Sequence, residues 1–134
     1  MIIGIGSDLV DINRIKNSVD RFGNRFINRI FTGEERLKAD SSGNRIAIYA
    51  KRFAAKEAAW KALGDGYRGG IKWKELAVLN NEYGKPMLSF SGSAASILDD
   101  LTPSGMISRI DVSLSDEPPI AQALVVISAV PKRK

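Results

Sequence analysis

The spacing of apolar and polar positions changes along the chain, and each change marks an element. Ile2 to Asp8 is an apolar run interrupted by Gly4 and Gly6, the pattern of a strand. Ile12, Ile15, Val19 and Phe22 then recur at helical spacing, with Asp11 placed as the N-cap. Gly23 and Asn24 should break this helix, and a second helical stretch carries Phe26, Ile27 and Ile30. Thr32-Gly33-Glu34-Glu35 has the spacing of a capping box, in which the Thr32 hydroxyl and the Glu35 carboxylate each satisfy a backbone N–H. A short helix from Gly33 to about Asp40 follows. After the Ser41-Ser42-Gly43-Asn44 loop, which has N-cap chemistry, the longest helix is predicted from about Arg45 to Leu63, stopped by Gly64 and Gly66.

From Leu76 onward the pattern is mostly that of strands. Leu76 to Leu79 and Met87 to Phe90 flank a hairpin turn, Asn80-Asn81-Glu82-Tyr83-Gly84-Lys85-Pro86. Ser91 to Leu101 reads as a helix ending before Thr102-Pro103. Ile107 to Ser115 and Ile120 to Ala129 are strands joined by Asp116-Glu117-Pro118-Pro119. Helices and strands do not alternate regularly, so the expected class is α+β, a mainly antiparallel sheet packed against a long central helix. The 134 residues, 44% of them hydrophobic, suit one domain with one modest core. That domain is expected over 1–130, with Pro131-Lys132-Arg133-Lys134 as a basic tail. No run is long and apolar enough to span a bilayer. Met1-Ile2-Ile3-Gly4 has neither the basic start nor the long apolar stretch of a secretory leader, so a cytoplasmic protein without a membrane partner is expected.

Two absences narrow the chemistry. The sequence has no cysteine and no histidine. Disulfides, thiol catalysis, a Ser-His-Asp triad and a His-rich zinc site are therefore excluded. A metal must be a hard cation held by oxygen, such as magnesium, manganese or calcium. A general base must be a carboxylate, lysine, tyrosine or metal-bound water. The net charge is +5, unevenly spread: Arg45 to Lys74 holds eight Lys or Arg against two acids, Glu57 and Asp65. Such a block suits a phosphate-rich ligand or an acidic partner, and a solvated basic face has the same composition.

Two carboxylates stand out. At about 100° per residue, Ile46, Phe53 and Trp60 fall within roughly 40° of one another, and Glu57 falls about 40° from Phe53. A carboxylate bordering an apolar stripe costs free energy unless it is paired or binds a metal. Pairing with Lys61 at i+4 is the plainer alternative. Asp8 ends the glycine-bearing strand, where it either caps the next helix or points into a cleft. Together they would make a magnesium site, with waters and substrate phosphates completing the octahedron. Gly4-Ile5-Gly6 is not a dinucleotide fingerprint, because position 9 is leucine. The glycine pair instead lets another backbone or a ligand come close.

Ile3-Gly4-Ile5-Gly6-Ser7-Asp8-Leu9-Val10-Asp11-Ile12-Asn13-Arg14-Ile15 resembles the opening motif of holo-acyl-carrier-protein synthases, the short form of the 4'-phosphopantetheinyl transferases. Phe31-Thr32-Gly33-Glu34-Glu35 is similar to the family's next block. The most specific match is Lys51-Arg52-Phe53-Ala54-Ala55-Lys56-Glu57-Ala58-Ala59-Trp60-Lys61-Ala62-Leu63-Gly64, which resembles its central helix. Gly84-Lys85-Pro86 and Val112-Ser113-Leu114-Ser115-Asp116-Glu117 match the last two blocks, so the likeness runs in order over nearly the whole chain.

The resemblance implies a phosphopantetheinyl transferase-like fold, similar to one half of a larger pseudo-duplicated enzyme, and a homotrimer with sites between subunits. It also implies a reaction: transfer of phosphopantetheine from coenzyme A to a serine of acyl carrier protein, releasing adenosine 3',5'-bisphosphate, in support of fatty acid biosynthesis. By the resemblance Asp8 and Glu57 hold Mg²⁺ (or Mn²⁺) and Lys61 is the active-site lysine. Arg52, Lys56, Lys61, Gly64 and Pro86 fall at coenzyme A. Asp116 stands where many members have histidine, so the base is metal-bound water, Glu57 or Asp116. The region that docks the carrier protein matches Arg14, with Arg21 seven residues on and Arg25 past the Gly23 break. A rival reading is a basic nucleic-acid-binding module using the cationic block, Tyr67, Trp73 and the terminal Lys-Arg-Lys. Aromatics total only 7% and no nucleic-acid motif is present, so no nucleic-acid partner is expected. An inactive interaction protein on the same fold is a third reading, opposed by the intact Asp8, Glu57 and Lys61.

Overall fold

A computed structural model describes residues 1–64 and 70–133. In chain order its elements are β1 (Ile2–Asp11), α1 (Ile12–Phe22), α2 (Asn24–Ile30), α3 (Gly33–Asp40) and α4 (Arg45–Leu63). A 3-10 turn (Trp73–Glu75) follows, then β2 (Leu76–Asn80), β3 (Pro86–Phe90), α5 (Gly92–Leu101), β4 (Met106–Glu117) and β5 (Ile120–Pro131). Both sheets are antiparallel: three strands in the order β1-β5-β4, and the β2–β3 hairpin. The α+β arrangement matches the pattern of spacings, and the long helix has the bounds expected of it.

The core lies between α4 and the three-stranded sheet. Every second residue of β5, from Ala121 through Ala123, Val125 and Ile127 to Ala129, is buried. They meet Ala50, Ala54, Ala55, Ala58, Ala59 and Ala62 of α4, also buried. Small residues on both surfaces let the helix lie low on the sheet. The glycines of β1 set the limit of approach: a methyl added at Gly4 would strike the carbonyl of Ala62, and one at Gly6 that of Ala58. The close-approach reading of Gly4-Ile5-Gly6 is therefore realised by backbone against backbone. The stripe expected from Ile46, Phe53 and Trp60 is not the face that covers the sheet. Phe53 and Trp60 instead pack on Trp73, at ring distances of 5.2 and 4.5 Å.

β1 runs past Asp8 to Asp11, which still pairs with Ile120 before its side chain caps α1 by accepting from the Asn13 N–H at 2.9 Å. Asp8 is thus in mid-strand rather than at the strand's end. Asp116 and Glu117 likewise belong to β4, leaving Pro118-Pro119 as the turn. Pro131 belongs to β5 and the Lys132 N–H donates to Gly105 O, so the backbone of the expected tail is held as far as Lys132. Gly64 ends α4 with φ of 109°; Gly66 lies outside the described residues. Among those residues no helix is long and apolar enough to cross a membrane.

The capping box forms, and Glu35 does more than cap. Its Oε1 accepts from the Thr32 N–H (2.8 Å) and from Lys56 Nζ (2.8 Å), and its Oε2 from the Val78 N–H (2.9 Å). Both Glu35 and Lys56 are fully buried. This pair ties the start of α3, the middle of α4 and the first strand of the hairpin into one unit.

Candidate active site

Asp8 and Lys61 meet. Lys61 Nζ donates to Asp8 Oδ1 and to Ser7 O, each at 3.1 Å. The contact follows from the glycines: with Gly4 and Gly6 beneath Ala62 and Ala58, the next residue on that face of β1, Asp8, comes under the same stretch of α4. Glu57 is one helical turn before Lys61, so it shares that side of α4. The ammonium of Lys61 reaches across to the strand.

The donor set fits a hard cation. Asp8 and Glu57 would offer oxygen donors from two separate elements, and among the described residues no group of three or more acids could hold a metal ion. Two carboxylates with the remaining positions left to water and phosphate suit magnesium, which gives up its waters reluctantly.

Asp116 is elsewhere in the same protomer. Asp8, Ala123 and Leu114 form one row across the sheet, and Val10, Ala121 and Asp116 the next row on the same face. With strands about 4.8 Å apart and about 6.8 Å per residue pair, the Cα atoms of Asp8 and Asp116 are roughly 12 Å apart. Asp116 Oδ1 is 3.1 Å from Lys51 Nζ.

The residues expected at coenzyme A divide. Lys56 is corrected by the structure: it is fully buried and its Nζ donates to Glu35 Oε1, Leu76 O (2.8 Å) and Trp73 O (3.2 Å). All three ammonium donors are used inside the protein. Burial pulls its pKa below that of an ordinary lysine, with Glu35 opposing. Arg52 is 5% exposed and donates to Glu35 O (3.1 Å) and Asn80 Oδ1 (2.7 Å). It lines a cavity of about 320 Å³ together with Pro86, Gly84 and Lys51. Gly64 is the C-cap of α4, just beyond Lys61. The basic block is thus split around one helix: Lys51 and Arg52 at the hairpin, Lys56 in the core, Lys61 at β1. Trp73, part of the nucleic-acid reading, is packed against Phe53 and Trp60; Tyr67 and Arg68 lie outside the described residues.

Arg14 and Arg21 line one shallow depression on α1, as their spacing requires. Arg25 lies on α2 beside an apolar groove formed by Phe22, Phe26, Ile30 and Trp73, with Arg29 on the same rim. Sequence spacing singled out neither Arg29 nor Lys51. Arg29 falls four residues after Arg25 on one helix, a signal that could have found it. Lys51 meets Asp116 across 65 positions, and no local pattern announces that.

An α+β fold with a glycine-bearing strand beneath a cationic helix, carrying an acid from each, defines the class. Residues 4–115 match the 4'-phosphopantetheinyl transferase superfamily, and the chain belongs to it. It is 55% identical over 135 residues to the holo-[acyl-carrier-protein] synthase of Rhodopseudomonas palustris strain BisB5, covering 98% of this chain and 97% of that protein. The crystal structure of the holo-[acyl-carrier-protein] synthase from Neisseria meningitidis superposes with a TM-score of 0.83 at 37% identity, over 96% of this chain and 99% of that one. The synthase from Bacillus anthracis, solved in complex with CoA (3',5'-ADP), gives 0.73 at 33% identity, over 95% and 96%.

Proposed function

We propose that this chain is a holo-[acyl-carrier-protein] synthase: it transfers the 4'-phosphopantetheine group of coenzyme A to a serine of apo-acyl carrier protein. The observation that carries the reading is the convergence of Asp8 and Lys61 beside Glu57. The serine oxygen attacks the β-phosphorus, the bond to adenosine 3',5'-bisphosphate breaks, and the serine proton passes to a base. Asp8 and Glu57 are the residues that would hold Mg²⁺, and the ion when bound supplies Lewis-acid neutralisation of the pyrophosphate. Lys61 adds a second cation beside the transferring or leaving phosphate. Glu57 and Asp116 are the carboxylates available for the proton. Arg52, Pro86 and Gly64 line the donor's path, and Arg14, Arg21 and Arg25 face the acidic carrier protein.

The working unit is a homotrimer, in the cytoplasm, with each site at a subunit boundary. Its support is the outer face of the three-stranded sheet, where Ile5 (58% exposed), Leu9 (67%) and Leu124 (42%) lie in adjacent rows. Exposed large apolar side chains gathered on a sheet face that also carries Ser7, Ser113 and Gln122 suit protein cover, and copies of the chain supply it. The test is mass spectrometry of an apo carrier protein incubated with this chain, coenzyme A and magnesium. A gain of one phosphopantetheine is expected; an unmodified carrier refutes the reading.

A further inference from the structure

We propose that Lys61 and a divalent cation compete for Asp8, so that Lys61 makes metal binding depend on the phosphates of the donor. The inference rests on the transferase reading and gives its active-site lysine a second task, the coupling of two ligands. Asp8 is the fixed member of the pair. It lies in mid-strand, opposite Ala123 of β5, and its side chain is 16% exposed. Lys61 is the movable member, with a side chain 42% exposed on a long flexible stem. Its Nζ donates to Asp8 Oδ1 and to Ser7 O, each at 3.1 Å.

The carboxylate of Asp8 cannot serve both cations without cost. A magnesium or manganese ion sits about 2.1 Å from a carboxylate oxygen, so one on Oδ1 would lie within about 5 Å of an ammonium that kept its bond to the same oxygen. A double and a single positive charge repel at that distance. Binding the ion to the protein alone therefore either breaks the bond between Lys61 and Asp8 or carries that repulsion. The donor changes the balance. Its pyrophosphate offers the ammonium anionic oxygens in exchange for Asp8, and offers the ion further ligands. Lys61 turns from Asp8 to the phosphates, and the carboxylate is released to the ion. Metal and donor then each raise the protein's affinity for the other, by the same factor.

The test is calorimetric titration with Mn²⁺ at one pH, without carrier protein, on the parent and on Lys61→Met, with circular dichroism to check the fold. In the absence of coenzyme A, Lys61→Met should bind Mn²⁺ about tenfold more tightly than the parent. That is the lower value of a hydrogen bond to a charged group, about tenfold in affinity, taken because Lys61 is partly exposed. Lys61→Gln, polar but uncharged, should shift the same way, and Lys61→Arg should stay near the parent. Saturating coenzyme A, with correction for the ion it binds in solution, should then tighten Mn²⁺ on the parent by about tenfold more than on Lys61→Met. A lysine that only contacts phosphate would leave the first titration unmoved. A parent that loads carrier protein with magnesium, but whose Lys61→Met and Lys61→Gln forms bind Mn²⁺ no more tightly than it does, overturns this inference alone. A parent that loads no carrier overturns the transferase reading and this inference with it.

Discussion

Replacing Gly6 by alanine should cost both stability and activity. The φ of Gly6 is not positive, so alanine meets no backbone strain there. The cost is steric: the new methyl would collide with the carbonyl of Ala58 and lie 2.8 Å from the nitrogen of Ala62. Both obstacles are helix backbone, which cannot swing aside as a side chain does. Overpacking typically costs 1–3 kcal/mol, and with no flexible neighbour the upper end, about 3 kcal/mol, applies. At about 1–3 kcal/mol per molar urea, that moves the unfolding midpoint down by roughly 1–3 M. Relief requires α4 to lift from β1, which separates Lys61 and Glu57 from Asp8. A misplacement near 1 Å is worth about a hundredfold in rate. Urea unfolding followed by circular dichroism, at one protein concentration because assembly adds stability, and the carrier-loading assay measure the two effects. A midpoint and a rate both matching the parent would refute the claim that glycine is needed for contact between helix and strand.

Glu57→Gln should lower transfer by about a hundredfold or more with the fold intact, since it removes a charge and a ligand at little change in volume; near-normal turnover at saturating magnesium would disprove the metal assignment. Arg14→Glu with Arg21→Glu should raise KM for carrier protein and flatten its salt dependence while leaving coenzyme A affinity unchanged; unaltered carrier kinetics at low ionic strength would place the docking surface elsewhere. Leu124→Asp should shift sedimentation toward the monomer and reduce activity with it, and an intact trimer would exclude the outer sheet face as the interface. Lys56→Met should destabilise by about 3–5 kcal/mol because it strands a buried Glu35, and a urea midpoint equal to the parent's would contradict the core role of Lys56.

Local signals are legible in the sequence. Asp11 capping α1, the Thr32–Glu35 box and Gly64 ending α4 each depend on residues within a few positions, and each forms where expected, whereas Asn44 starts α4 without the side-chain cap bond that its loop suggests. Depth is not legible. Lys56 sits in a basic run one residue from Glu57, and nothing nearby says that Glu35, Trp73 and Leu76 will enclose it. The working face of α4 is hidden for a related reason. Large residues draw attention to Phe53 and Trp60, while the sheet is covered by alanines, whose apolar periodicity is weak until a facing strand of glycine and alanine makes small size the criterion.

One helix carries most of the candidate site, and its sides are divided among different tasks. Its alanines press on β5 and under Gly4 and Gly6. Lys56 turns into the core toward α3 and β2. Lys61 bonds Asp8, and Lys51 and Arg52 line the hairpin cavity. No side of α4 is left to tolerate a shift, which explains why a buried charge is kept at Lys56 when an apolar residue would often do as well. With carbonyls of Trp73 and Leu76 as acceptors, that ammonium fixes the hairpin relative to the helix at a point midway between Lys51 and Lys61. Rotating α4 to improve the contact with Asp8 would drag Lys51 and Arg52 away from Pro86. Glu35–Lys56 and the Gly6–Ala58 contact therefore act as two stops on the same motion, one at each side of the helix.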